Sequence, residues 1–196
     1  MKTNYSTLYR VFHWTIAISF FLLLITIFLR LTWMNKNSMA DILGTYLSDS
    51  GQVLSQDQLL VIAKQLREPM WKWHSYIGYF LAGLFSLRFL LPLFGVLKFQ
   101  DPFSKGSTTR EKLQKAVYMG FYLCVSVSLI SGLLMELGPE DLKEPLEGIH
   151  VFSLYYLIPF IIVHLAGVFT AEFTDQKGIV SRMLSGKRSK DLKILK

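Results

Sequence analysis

Disulfides are ruled out by scarcity: Cys124 is the only cysteine in 196 residues, so no intrachain bridge can form. It lies inside an apolar run, where a free cysteine acts as a small hydrophobe. Charge is also sparse, at 18% of residues, and four long stretches carry almost none of it. Internal repeats and low-complexity tracts are absent, which excludes solenoids and disordered linkers. Histidine is limited to four residues, His13, His74, His150 and His164. What is abundant is apolar: 52% of residues, clustered in runs rather than dispersed. That pattern is a membrane protein's, not that of a soluble domain with a rich core.

The first run, Val11 to Leu29, has 19 residues without a formal charge. Ser38-x-Ala40 is weakly like a signal-peptide cleavage site, but the apolar part of a signal peptide is about 7–15 residues. An uncleaved spanning helix over about 9–33 is expected. A polar connection, 34–70, follows. In it Ser55 and Gln58 fit a capping box, and Leu59, Leu60, Ala63 and Leu66 recur at helical spacing before Pro69. The expectation is a short amphipathic helix lying on the membrane surface or packed in the connection. The second span, 71–97, opens with Trp71 and Trp73, suited to an interfacial belt, and contains Arg88 and Pro92. The third span covers 115–136. The fourth, 148–173, includes 22 residues from His150 to Ala171 with no Lys, Arg, Asp or Glu. That is enough to cross a hydrocarbon core about 30 Å thick. The tail from Asp175 mixes Ile179, Val180, Met183 and Leu184 with Arg182, Lys187 and Arg188, as a segment at the membrane surface does. The expected fold is therefore all-α, an integral membrane four-helix bundle forming one domain over 1–196.

The connections set the orientation. The 34–70 connection has three basic and four acidic residues, 98–115 five and two, 136–147 one and five, and the tail seven and two. Basic residues mark the cytoplasmic side. Both termini and the second connection are thus expected in the cytoplasm and the other two connections outside. Sidedness also accounts for the net charge of +7 without a nucleic-acid partner.

Every histidine lies in or at the edge of a span. His150 and His164 are fourteen residues apart, which on one continuous helix returns the side chain to within roughly 40° of the same face and roughly 21 Å further along the axis. By orientation, His13 and His164 fall on the cytoplasmic side, and His74 and His150 on the outer side. Two axial imidazoles from adjacent helices are what a low-spin b-type haem requires, so four histidines make two haem b sites, His13/His164 and His74/His150. No C-x-x-C-H motif exists for covalent attachment. A single tetrahedral zinc shell cannot include both His150 and His164. Hydrogen-bonded interfacial histidines are the bland alternative, weighed against the high cost of intramembrane ionisable groups. Arg10 and Arg88 can meet haem propionates on the cytoplasmic side or snorkel to headgroups. Gly78, Gly83, Gly120, Gly132 and Gly167 can admit a macrocycle or simply serve helix packing.

The segments RVFHW (Arg10–Trp14), WHSYIGY (Trp73–Tyr79), EGIHVFSLYYLIPFIIVHL (Glu147–Leu165) and GIVSRMLSG (Gly178–Gly186) resemble the bacterial cytochrome b-561 family, which includes the b-type cytochrome subunits of nickel-iron hydrogenases. The resemblance covers most of the chain. It implies a four-helix di-haem cytochrome of the bacterial inner membrane, with His13, His74, His150 and His164 as ligands. Such a protein moves electrons between an outer-side redox subunit and quinone, as a subunit of an oxidoreductase more than as a stand-alone enzyme. The 34–70 connection is longer than in the shortest members, which leaves the partner open. Direction of flow, the quinone site and whether the chain forms an oligomer are equally open. Two rivals remain: a self-sufficient superoxide:quinone oxidoreductase, and a haem-free transporter or proton relay. The acidic 136–147 connection disfavours an anionic substrate on the outer side.

Overall fold

The computed structural model describes residues 5–97, 99, 106, 108–174 and 176–186. Among these there are only helices: α1 (Thr7–Leu31), α2 (Lys36–Asp49), α3 (Gln56–Leu90), α4 (Thr109–Leu137), α5 (Lys143–Val151), α6 (Ser153–Phe173) and α7 (Ile179–Ser185), with 3₁₀ turns at Leu91–Phe94 and Glu140–Leu142. Residues 175 and 187–196 of the tail, Lys187 and Arg188 among them, and residues 98, 100–105 and 107 of the basic connection lie outside the described residues.

Four helical stretches are long and apolar enough to cross a membrane: Thr7–Leu31, Gln56–Phe94, Glu111–Leu137 and Glu140–Phe173. Their surfaces explain why. Phe21, Phe28, Leu123, Ile130, Ile162 and Phe169 are all exposed, whereas Ser19, Thr26, Ser128 and Ser131 are buried. Apolar side chains outward and small hydroxyls inward suit lipid rather than water as solvent, since helices in lipid associate through close packing and hydrogen bonds.

The chain forms two compact parts, Ile16–Leu81 and Met1–Thr15 with Ala82–Lys196. In the first, Ala40 of α2 packs on Leu59 and Ala63 of α3, flanked by Met39, Leu43, Leu47 and Leu54. The Ser55 capping box is present: Ser55 N–H donates to Gln58 Oε1 at 2.9 Å and Gln58 N–H to Ser55 Oγ at 3.3 Å. The 55–68 segment is therefore a packed helix, but not a separate one. Contrary to expectation, Pro69 does not end it, and α3 runs unbroken from Gln56 to Leu90. Proline removes one hydrogen bond and crowds the preceding turn. Here the turns before it are fixed on α2 and those after it belong to a span, so the helix continues.

In the second part, α4 begins six residues earlier than expected. Thr108 and Glu111 form a capping box, with Glu111 N–H donating to Thr108 Oγ1 at 3.3 Å and Thr108 N–H to Glu111 Oε2 at 2.9 Å. In the second span the α-helix ends at Leu90, earlier than expected. Leu91 starts the 3₁₀ turn with Pro92 second, and Gly95 closes it in the left-handed region at φ 78°.

The fourth span also departs from expectation. It is not one helix, because the ladder breaks at Phe152 between α5 and α6. Tyr155 N–H bonds the Phe152 carbonyl at 3.0 Å, a three-residue spacing, tighter than an α-helical turn. Pro159 has no N–H to offer the Tyr155 carbonyl, so the ladder is weakened on the far side of this turn as well. The α4–α5 turn needs Gly138, where an added Cβ would collide with the Leu134 carbonyl oxygen.

Candidate functional site

All four histidines are part-buried on helices. His150 on α5 sits against α4. Its Nδ1 is 2.9 Å from the Ser128 carbonyl oxygen and 3.4 Å from Ser131 Oγ. A carbonyl only accepts, so Nδ1 carries the proton and the lone pair is on Nε2. Gly132 makes this approach possible: an added Cβ would lie 2.8 Å from His150 Cε1 and 3.1 Å from Nδ1. Tyr156 O–H donates to Ser128 Oγ at 2.9 Å, which ties α6 to the same turn of α4.

His164 on α6 meets α4 at Tyr118, ten residues before Ser128 and fourteen before Gly132. Its Nδ1 is 3.1 Å from the Tyr118 hydroxyl, and its ring stacks on Phe160 with centroids 5.9 Å apart. Phe160 stacks in turn on Phe121 at 3.6 Å. The His13 ring from α1 lies 6.0 Å from the His164 ring, centroid to centroid, at an interplanar angle of 47°. The two meet although they stand at unequal distances from the nearest charge in sequence.

His74, on α3 in the other part, has Nδ1 2.7 Å from Thr26 Oγ1. The Thr26 hydroxyl donates to the Leu23 carbonyl at 2.6 Å, so it accepts from His74 Nδ1–H, and the lone pair is again on Nε2. Trp71 stacks flat on the imidazole at 4.9 Å, and the Arg30 guanidinium lies over Trp71 at 4.9 Å.

The arginines differ. Arg10, one turn before His13, donates from Nη1 to the Leu184 carbonyl at 3.1 Å and from Nη2 to Thr7 Oγ1 at 3.2 Å. Its Nε is buried without a hydrogen-bond partner. Gly186, left-handed at φ 73°, leaves room for this guanidinium, which an added Cβ would meet at 2.9 Å. Arg88 is 8% exposed and engaged elsewhere. It donates to the Leu97 carbonyl at 2.7 Å, and its guanidinium lies 4.0 Å over the Phe99 ring and 5.5 Å from that of Tyr122.

Sequence reasoning missed Ser128, Thr26 and Tyr118 as partners of histidine nitrogens. Hydroxyl residues inside charge-free runs are the signal that could have found them. It also placed Arg182 at the surface, yet Arg182 is 2% exposed. The tail helix α7 is pinned inward: Trp14 Nε1–H donates to the Met183 carbonyl at 3.0 Å, and Glu172 accepts from Gly178 N–H at 2.8 Å and Val180 N–H at 3.1 Å.

Among the described residues, no three His, Cys, Asp or Glu side chains gather as a metal-ion cluster. The arrangement is instead imidazoles set within spanning helices, which defines the class: a multi-pass α-helical membrane protein with ring nitrogens turned inward. The family model described as prokaryotic cytochrome b561 matches residues 4–186. The chain therefore belongs to the prokaryotic cytochrome b561 family, whose members are membrane b-type cytochromes that carry haem b and transfer electrons. No curated protein and no solved structure matches the chain.

Proposed function

We propose that the chain is a di-haem b-type cytochrome carrying electrons across the prokaryotic inner membrane, between a redox subunit on the outer side and the quinone pool. The observation that carries this reading is the His13–His164 pair. With metal–nitrogen bonds of about 2 Å, two imidazoles on opposite faces of one iron have ring centroids about 6 Å apart. The separation here is 6.0 Å. His74 and His150 are assigned as the second ligand pair from their shared depth in the sequence. Each presents its lone pair on Nε2, because the other ring nitrogen donates to Thr26 or Ser128. Orienting a metal-binding imidazole through its second nitrogen is the usual arrangement in metalloproteins.

Haem, when bound, supplies the one-electron couple. The chain's own residues do the rest. The imidazoles would hold the iron, and Thr26, Tyr118 and the Ser128 carbonyl would fix the rings. Phe121 and Phe160 fill the space beside His164 and keep water out. We assign Arg10 to a haem carboxylate: its Nε is an unmade hydrogen bond, and a buried donor left so costs about 1–3 kcal/mol, which an oxyanion reaching it would offset. Arg88 we assign to holding the 91–97 turn, where its Nη1 donates to the Leu97 carbonyl. Charge asymmetry supports cytoplasmic termini, with the His13/His164 haem nearer the cytoplasm.

The test is haem content and the reduced spectrum of the purified protein. Two haems per chain with a sharp reduced α band are expected. A chain that purifies folded without that band would sink the reading.

A further inference from the structure

Tyr118 brings an oxygen to the His13/His164 pair. Its hydroxyl is 3.1 Å from His164 Nδ1, and its ring stands edge-on to Phe160 at 5.9 Å and to His164 at 6.1 Å. Imidazole and phenol thus meet between α6 and α4.

For Nε2 of His164 to hold iron, Nδ1 must carry a proton and donate a hydrogen bond to the phenol oxygen. A phenyl ring in the same place would offer no such acceptor. A stronger acceptor on Nδ1–H makes Nε2 a stronger donor to the metal. Greater electron donation favours the oxidised iron and lowers its reduction potential. Nothing in ring packing alone requires the oxygen, since phenylalanine would fill the same space.

We propose that Tyr118 is a positioning residue that sets the reduction potential of the haem on His13 and His164. The inference rests on the haem assignment made above. It commits the two potentials of the protein to separate control, since the acceptor facing His150 is a backbone carbonyl.

The experiment is a redox titration of the full-length protein followed by absorbance, with low-spin electron paramagnetic resonance on the same samples. In Tyr118→Phe both haems are retained. One midpoint potential rises and the g-value spread of that haem changes, while the other haem does not move. Tyr155→Phe, at a residue 71% exposed and away from the pair, shifts neither. If both potentials stay in place in Tyr118→Phe with two haems bound, the inference fails and the di-haem reading stands. Equal shifts of both potentials overturn it too, as does loss of haem in Tyr118→Phe. Wild-type protein without bis-imidazole haem removes both readings.

Discussion

His150 and His164 lie fourteen residues apart and face the same helix, yet α4 holds them by opposite means. At His150 the partner is main chain: the Ser128 carbonyl accepts a hydrogen bond from Nδ1–H, and Gly132 clears a path to it. At His164 the partner is side chain: a phenol on Nδ1 and a phenyl ring against the face. The difference lies in what a substitution can reach. A backbone acceptor survives any replacement that leaves the helix intact, so the His150 seat is vulnerable chiefly to added bulk. A phenolic acceptor can be deleted without disturbing the backbone, so the His164 seat is open to graded adjustment.

The comparison breaks most completely if the histidines themselves fail to separate. His150→Ala and His164→Ala should each remove one haem of two, measured as haem per polypeptide, and the double variant should bind none. If both single variants emptied the same site, the two-seat account would be wrong. Next in size is Gly132→Ala. The new methyl would stand 2.8 Å from His150 Cε1, so the ring must move. A loss of about 10–100-fold in affinity for the haem at that seat is expected, on the scale of removing an orienting partner, with the His164 haem unaffected. Haem titration into apoprotein checks both. Ser128→Ala should do far less. It keeps the carbonyl that faces His150 and loses only the Tyr156 hydroxyl's partner, a destabilisation of about 1 kcal/mol with both haems in place. A loss of haem there comparable to that in Gly132→Ala would mean that the hydroxyl, not the carbonyl, holds the seat. The smallest effect belongs to Trp14→Phe, which gives up one hydrogen bond to the Met183 carbonyl. Faster amide exchange confined to residues 179–186, with unchanged haem content, is the expected result.

What the sequence made legible was whatever depends on long-range composition. Charge-free runs located four spans, and the Ser55 and Gln58 pair announced a real helix start. What it hid depends on local competition. Pro69 was read as a stop because proline is a poor interior residue, but anchors on both flanks outweigh one missing hydrogen bond. The turn at Phe152 leaves no charge or glycine as a marker, so the last span read as continuous. The Thr108 capping box went unseen because basic residues around it read as connection. At the site, histidine positions were visible because histidine is rare here. Their partners were not, since a backbone carbonyl has no letter and a buried serine in an apolar run reads like packing. Arg182 read as surface because arginine usually is. Its burial follows from α7 folding back against Trp14 and Glu172.

One consequence follows from the antiparallel match between α4 and the last span. His150 stands opposite Gly132 and His164 opposite Tyr118, so the interval is fourteen residues on both sides of the hairpin. The two helical arms of this hairpin act like a ruler laid against its copy. Adding or removing a single residue in the short turn around Gly138 would displace both seats together, whereas the same change between Tyr118 and Gly132 would spoil only one. The turn is thus a shared point of failure for two distant sites, and its length is as constrained as the histidines themselves.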